Sequence, residues 1–223
     1  MYHVEAHHPK TRIKILTMIN DEAGPFVRLG VNKDDADDLI DRLIEAHREP
    51  QRHYHTMRHI LDCHYAITSY AHHATSRQAA DEIYVALWFH DSIYDVRSND
   101  NEARSAEWLA QELAGEVDPD SIERMSNMII ATAGHEGDYD PDTQLMLDID
   151  LGILGYQPDR FDEYDRQIRK EYEWVPLEDY NFLRAKVLQG FLDRDQIYHT
   201  EPFRFKERQA RENLTRKIAE LTK

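Results

Sequence analysis

The sequence predicts an all-α fold, and three observations lead to that prediction. No segment alternates apolar and polar residues with a period of two, and the β-branched residues are dispersed along the chain. Residues 51–114 contain neither Gly nor Pro, and their apolar residues recur at helical spacing. No linker, repeat or change in composition divides the chain. We therefore predict one helical domain over 1–223, in which residues 1–32 form a loosely packed N-terminal extension.

The helices are predicted in chain order from their apolar stripes and their breakers. Asp34 and Asp35 are suited to cap a first helix, which Pro50 follows. Residues 51–114 are predicted to be helical throughout, in three successive stripes. Pro119 then begins a helix that Gly134 closes, and 141–154 forms a shorter one. The last three amphipathic helices follow the three remaining prolines of this region, Pro158, Pro176 and Pro202.

The charge balance limits the classes of partner and the location. The chain carries 43 acidic and 27 basic residues, a formal net charge of −16, and no basic stripe interrupts this excess. Such a protein repels phosphate backbones, so we expect no nucleic-acid polymer as partner. We also expect no membrane association, because no apolar run approaches the length of about 18 residues that a spanning helix needs. The single cysteine, Cys63, and the lack of a signal-like start predict a cytoplasmic protein.

Histidines and aspartates supply the chemistry that the sequence suggests. Six of the 13 histidines fall between His53 and His73. His55 and His59 are four residues apart, so on a helix they share one face. The pair His90-Asp91 ends an apolar segment, where buried ionisable groups need partners or a metal. Imidazoles combined with carboxylates suit a divalent ion, which could be Mn, Fe, Mg, Co, Ni or Zn.

These residues also resemble a known family. The ordered set His59, His90-Asp91 and Asp150 resembles the H…HD…D signature of the HD superfamily of metal-dependent phosphohydrolases. Residues 54–59 are similar to the Tyr-His-Asn-x-x-His signature of cyclic-nucleotide phosphodiesterases, except that Thr56 replaces Asn. Together with residues 89–95 and 148–155, the arrangement is similar to a bacterial group of small predicted HD phosphohydrolases, over roughly residues 35–220.

The resemblance implies an HD-domain helical bundle with a metal centre. It implies that His59, His90, Asp91 and Asp150 bind the metal and that His55 donates a proton to the leaving group. Asp148 competes with Asp150 for the last ligand position, and Asp150 is preferred because its flanking residues match the family context better.

Further site residues are candidates with alternatives that stay open. His135 is a candidate fifth ligand, as in dinuclear HD enzymes, although the neighbouring Gly134 and Gly137 are typical of a loop. Glu102, like Asp95, is a candidate for holding a metal-bound water or acting as a base. Arg58, like Arg52, is a candidate for binding a phosphate through two parallel hydrogen bonds.

The activity implied by the resemblance is hydrolysis of a small phosphate ester or nucleotide, as a phosphomonoesterase or phosphodiesterase, with a metal-activated water as nucleophile. The first alternative is a dinuclear iron oxygenase of the HD type, which needs additional ligands such as His135. The second is a catalytically silent HD module that binds a nucleotide as a sensor. The sequence specifies neither the substrate nor the oligomeric state.

Overall fold

The computed structural model describes residues 22–135 and 137–223, and this part of the chain is helical and contains no strand. The prediction of an all-α fold is confirmed. The α-helices are α1 (Gly24–Leu29), α2 (Lys33–Ala46), α3 (Met57–Tyr70), α4 (Arg77–Phe89), α5 (Asn101–Leu113), α6 (Pro119–Ala131), α7 (Pro141–Asp150), α8 (Pro158–Glu171), α9 (Leu177–Leu192) and α10 (Glu207–Leu221). Short 3₁₀ helices span Ala71–His73, Leu151–Gly155 and Glu201–Lys206.

Helix α4 lies at the centre of the fold. Every residue from Ala79 to Phe89 is buried, which fits a segment that is apolar around most of its circumference. Helices α1, α3, α5, α6 and α7 all pack against it. One hydrophobic cluster includes residues from Ala23 to Leu214. Helices α3, α4 and α7 all contribute residues to this core. None of the helices in the described ranges combines the length and the apolar character that crossing a bilayer requires.

The N-terminal part of the described chain belongs to this core. Phe26 in α1 is fully buried, and Ala23 and Val31 are nearly so. Residues 22–32 are therefore not the loosely packed extension that the sequence predicts for 1–32. The rest of that predicted extension, residues 1–21, lies outside the described residues.

Two helices begin at residues other than those that we predict. Helix α2 is capped by the side chain of Asn32, which accepts a hydrogen bond from the Asp34 N–H, whereas Asp34 and Asp35 occupy the first turn. Helix α3 begins at Met57, because the side chain of Thr56 accepts a hydrogen bond from the Arg58 N–H. Thr is an effective N-cap, which explains the start of α3 at Met57.

The prediction that residues 51–114 are helical throughout is wrong at 51–56, before α3, at 74–76, before α4, and at 90–100, which form a loop between α4 and α5. Asp, Asn and Ser side chains stabilise this loop, and they take the role that Gly and Pro have in other turns. The Asn101 side chain exchanges hydrogen bonds with the backbone N–H and C=O of Asp95. The Asp95 carboxylate accepts the Arg97 N–H, and the Ser105 hydroxyl accepts the Ile93 N–H.

Helix α7 ends at Asp150, four residues before the predicted end, and the chain continues as the 3₁₀ helix Leu151–Gly155. Side chains from the C-terminal region bind the carbonyl groups of this segment. The Tyr198 hydroxyl donates to the Leu151 C=O at 3.0 Å, and the Lys206 ammonium donates to the Gly152 C=O at 3.2 Å. These contacts hold the Glu201–Lys206 helix against the end of α7.

Candidate metal centre

Four side chains from three helices bring their donor atoms together at the centre of the fold. His59 lies in the first turn of α3, His90 and Asp91 follow the last residue of α4, and Asp150 ends α7. The Nε2 atom of His59 is 3.0 Å from His90 Nε2 and 3.1 Å from Asp150 Oδ1. Asp91 Oδ2 is 3.0 Å from His90 Nε2 and 3.6 Å from His59 Nε2. The structure thus joins residues separated by as many as 91 positions, as the resemblance implies.

These separations fit ligands of one divalent ion. Two ligand atoms that each lie about 2.1 Å from an ion are about 3.0 Å apart at a right angle and about 3.4 Å apart at the tetrahedral angle. The four side chains are between 1% and 16% exposed, and the two carboxylates are the more exposed members. Water or a substrate can therefore reach the centre from the carboxylate side. His59, His90 and Asp91 form one group that could hold a metal ion, and His59, Cys63 and Asp150 form a second, overlapping one.

Neighbouring groups orient the two histidines toward the centre. The Nδ1–H of His90 donates to the carbonyl oxygen of Leu87 at 2.9 Å, which directs the other ring nitrogen, Nε2, toward the centre. His59 packs against the Tyr54 ring at a centroid distance of 4.8 Å. The Cys63 Sγ lies 3.8 Å from both nitrogens of His59. Burial raises the pKa of the Cys63 thiol well above its usual range, so this sulfur would have to lose its proton to a bound ion before it could act as a ligand.

The electrostatics favour ionised carboxylates at this centre. Burial alone would raise the pKa of Asp150, but hydrogen bonds from His135, His59 and His90 hold it well below its usual range. The pKa of Asp91 is also lowered against the effect of burial, chiefly because His90 attracts the charged form. Two carboxylates that remain charged in a buried site are the hard, anionic ligands that divalent cations prefer.

His135 contacts the centre through the second oxygen of Asp150. It lies in the loop after α6 with a φ of 51°, which is an unusual conformation for a residue other than Gly. The Arg194 guanidinium donates to the carbonyl groups of Gly134 and His135 and so holds the loop in place. The His135 Nε2 is 2.8 Å from Asp150 Oδ2. His135 is thus both a loop residue and a partner of a candidate ligand.

The structure separates the two competing aspartates of α7. Asp150 points into the centre, whereas the buried carboxylate of Asp148 points toward the C-terminal region. There it accepts hydrogen bonds from the backbone N–H groups of His199 and Thr200 and from the Thr200 hydroxyl. Asp148 is therefore a structural residue, and Asp150 is the member of the pair that belongs to the cluster.

His55 lies beside the centre in the turn before α3, not on the helix with His59 as the four-residue spacing suggests. Its ring is 6.0 Å from that of His59 and 4.2 Å from that of Tyr94, centroid to centroid. The Nδ1–H of His55 donates to Glu171 Oε2 at 2.8 Å. Within the described residues its Nε2 has no hydrogen-bond partner, so this atom is available to a ligand of the centre.

Glu171 is the functional-site residue that the sequence does not reveal. Its Oε1 accepts the backbone N–H groups of His53, Tyr54 and His55, and its Oε2 also accepts the Tyr94 hydroxyl at 2.9 Å. Although burial opposes ionisation, His55 and these hydrogen bonds lower the pKa of Glu171 to about 2. The carboxylate thus stays charged and orients His55.

Burial lowers the tendency of His55 to take a proton, but the charges of Asp91 and Glu171 outweigh burial and raise the pKa of His55 above its usual value. An imidazole with a raised pKa carries a proton over a wider range around neutral pH. His55 therefore combines a fixed Nδ1, a free Nε2 and a stabilised imidazolium, which are the properties of a general acid.

Arg52 organises the backbone of the site and does not reach a ligand. Its side chain is completely buried and donates to the carbonyl groups of His55, Asp91 and Ser92. These contacts join the segment before α3 to the segment after α4. The guanidinium is therefore not free to bind a phosphate, which corrects the role that the sequence suggests for it.

We expect Arg52→Met to lower the free energy of unfolding by about 3 kcal/mol, because it leaves one buried and two partly buried carbonyl groups without their charged donor. Arg58→Met is the matched control: Arg58 is 54% exposed and pairs with Glu163, and a surface ion pair contributes about 0–1 kcal/mol. Urea denaturation of both variants measures the difference. Equal, small losses would contradict the structural role of Arg52.

The structure does not bring three other candidates to the cluster. Arg58 points to solvent and pairs with Glu163 of α8 at 2.6 Å. Glu102 lies in the first turn of α5 and, among the described residues, forms no hydrogen bond or ion pair with the four donors or with His55. Asp95 is exposed and stabilises the loop before α5. The roles of these residues toward a phosphate or a metal-bound water stay predictions.

A cleft leads away from the centre on the side of His59 and Asp150. It has a volume of about 240 Å³ and runs between α3 and the two 3₁₀ helices Leu151–Gly155 and Glu201–Lys206. Its walls include six aromatic residues, Tyr54, Tyr65, Tyr70, Tyr156, Phe203 and Phe205. The volume lies slightly below the range of about 300–1,000 Å³ that is typical of small-molecule sites.

Comparison of the chain with protein-family models, with curated proteins and with solved structures finds no match in any of the three.

Proposed function

We propose that this protein is a metal-dependent phosphohydrolase that acts on a small phosphate ester or nucleotide. One observation carries the proposal: a His/Asp donor set of metal-ligand spacing lies beside a histidine that a buried carboxylate orients and charges. Phosphoryl transfer needs a stabilised nucleophile, neutralisation of charge on the phosphoryl oxygens and a proton for the leaving group. A metal ion in the donor set would meet the first two needs, and the histidine would meet the third.

The donor set defines where the reacting phosphate lies. His59, His90, Asp91 and Asp150 would hold the divalent ion. When bound, such an ion lowers the pKa of a coordinated water and polarises a phosphoryl oxygen. His135 keeps the free oxygen of Asp150 in a hydrogen bond, which fixes the orientation of this carboxylate.

His55 supplies the proton in this proposal. Its Nδ1–H is committed to Glu171, so the proton that moves is the one on Nε2. Transfer of this proton to the departing alkoxide avoids the release of a strongly basic leaving group. Glu171 does not touch the substrate; it positions the imidazole and stabilises the imidazolium.

Glu171→Gln tests this positioning role through the pH dependence of the rate. The charge of Glu171 raises the pKa of His55, so removing it should lower that pKa. A general acid is active while protonated, and activity falls as the pH rises through its pKa. The alkaline limb of the kcat profile should therefore move to lower pH in Glu171→Gln. A lower kcat with an unshifted profile would show that Glu171 serves the fold alone.

The substrate class follows from the cleft and the charge. An aromatic-lined space of about 240 Å³ admits a small molecule, and the net charge of −16 disfavours a polymer of phosphates. A cytoplasmic location is part of the proposal, because the thiol of Cys63 is free and buried and such thiols are typical of reducing compartments.

The direct experiment is a screen of phosphomonoesters and phosphodiesters with Mn²⁺, Mg²⁺, Co²⁺ and Ni²⁺. We expect release of phosphate or of a phosphomonoester that depends on the metal and stops when a chelator removes it. A protein that binds metal and nucleotide without turnover on any substrate would instead be a silent sensor module.

One contact favours a second candidate function, a dinuclear iron oxygenase. Asp150 presents one oxygen to His59 and the other to His135, and a carboxylate placed in this way can bridge two ions. In that case His135→Ala would halve the metal content and remove a visible absorption band of the iron-loaded protein. For the phosphohydrolase with one ion, His135→Ala keeps one metal per chain. Metal analysis of the wild type and this variant side by side distinguishes the two: the metal content falls from two ions per chain to one for the oxygenase and stays at one for the phosphohydrolase.

A further inference from the structure

The aromatic cleft beside the candidate metal centre contains a lysine at its far wall. We call this space the Lys206 cleft; it runs from His59 and Asp150 to Lys206, with Tyr156 and Phe205 beside the lysine. The Lys206 Nζ lies 3.9 Å from the centroid of the Tyr156 ring and 5.8 Å from that of Phe205. A ligand held at the metal centre can therefore extend over aromatic surface toward an ammonium group.

The Lys206 ammonium has capacity to bind an anion. It donates one hydrogen bond, to the carbonyl oxygen of Gly152, and within the described ranges no carboxylate lies at ion-pair distance from it. Asp62, the acidic residue on the opposite wall, pairs with Arg160 at 3.2 Å. Burial lowers the pKa of Lys206, and the charge of Asp62 offsets this only in part. An anionic ligand in direct contact with the ammonium would raise this pKa further.

Two contacts fix Lys206 relative to the metal centre. Gly155 allows the close approach of the lysine, because a Cβ atom at this position would lie 2.6 Å from Lys206 Cβ and 2.9 Å from its carbonyl oxygen. Asp148, two residues before the candidate ligand Asp150, binds the backbone N–H groups of His199 and Thr200, which immediately precede the Glu201–Lys206 helix. The segment that carries the ammonium is thus attached to the helix that carries the ligand.

We infer that Lys206 binds a second oxyanion of the substrate, a carboxylate or phosphate that an apolar or aromatic spacer joins to the reactive phosphate. The inference rests on the proposed function, because the first phosphate must lie at the metal centre. Lys206 is then the specificity-determining residue: it selects substrates with two anionic ends over simple monoesters. The aromatic walls contact the spacer, and the ammonium forms charge-assisted hydrogen bonds with the distal group.

The test measures binding, so it does not depend on turnover. Phosphonates of increasing chain length, each with an aromatic or alkyl spacer, are titrated into the Mn²⁺-loaded protein by calorimetry. Every compound is used in three forms: unsubstituted, with a terminal carboxylate, and with a terminal second phosphonate. Lys206→Gln removes the charge and keeps a donor for the Gly152 carbonyl, and Lys206→Met is the second variant. The matched control is Lys186→Met, because Lys186 also lies over an aromatic ring, 4.2 Å from the Phe182 centroid, but on α9 outside the cleft.

In the wild type and in Lys186→Met, we expect the terminal anion of at least one spacer length to strengthen binding about tenfold or more. In both Lys206 variants, the compound with a terminal anion and the unsubstituted compound of the same spacer length should bind with nearly equal dissociation constants. The carboxylate and phosphonate arms identify which oxyanion the cleft prefers. A gain that persists in the Lys206 variants, or no gain at any length, overturns the inference while binding of the unsubstituted phosphonates still supports the proposed function. If the unsubstituted phosphonates also fail to bind with Mn²⁺, the phosphoryl site itself is wrong and the inference fails with it.

Discussion

His55→Ala should lower kcat about 10²- to 10⁴-fold for phosphate esters with alkyl leaving groups, while the metal stays bound. The reason is that the Nε2 proton of His55 is the one positioned for the leaving oxygen, whereas the four donor atoms of the centre come from other residues. The loss should be much smaller for 4-nitrophenyl phosphate, because nitrophenolate leaves without protonation. This dependence on the leaving group is the signature of a lost general acid.

The control for this prediction is His53→Ala. His53 contributes only its backbone N–H to Glu171, and it lines a groove with Gln51 and Trp174 that includes none of the four candidate ligands. The kcat of His53→Ala should equal that of the wild type. An equal loss in the two variants, or a loss in His55→Ala that does not vary with the leaving group, would contradict the role of His55.

Part of this site follows from local patterns in the sequence. The helical periodicity predicts the all-α fold, and the order of His59, His90-Asp91 and Asp150, by its resemblance to the HD signature, predicts the four donors that the structure brings together. The start of α3 at Met57 also has a local signal, because a Thr before an apolar-periodic segment is a typical N-cap. Reading Thr56 in this way places His55 in the preceding turn.

Other parts of the site depend on long-range packing and have no local signal. Glu171 meets His55 across 116 positions, and nothing in its neighbourhood distinguishes it from the other acidic residues of the chain. Arg52 carries a guanidinium group, which commonly binds phosphate, but the fold buries it against three carbonyl groups. Lys206 becomes significant only because Gly155 and Asp148 bring its segment to the end of α7.

The second prediction concerns the two aspartates of α7. Asp150→Asn replaces a carboxylate whose pKa the surrounding histidines hold well below its usual range, and a neutral amide is a much weaker ligand for a divalent ion. We expect this variant to lose its metal and its activity. Asp148→Asn instead weakens the hydrogen bonds to His199 and Thr200, so it should lower stability by about 1–3 kcal/mol and keep the metal. The two substitutions are chemically identical and two residues apart, but Asp150→Asn should affect metal binding, whereas Asp148→Asn should affect stability.

Metal stoichiometry is the measurement that tests this account most directly. Wild type, Asp148→Asn and Asp150→Asn are saturated with Mn²⁺, freed of unbound ion by gel filtration and analysed by atomic emission. Thermal unfolding of the same samples shows that each variant is folded. The account predicts retained metal in the wild type and in Asp148→Asn, and loss of metal from a folded Asp150→Asn. Retention of the full metal content in Asp150→Asn, or loss of the metal from a folded Asp148→Asn, would contradict the assignment of the centre to His59, His90, Asp91 and Asp150.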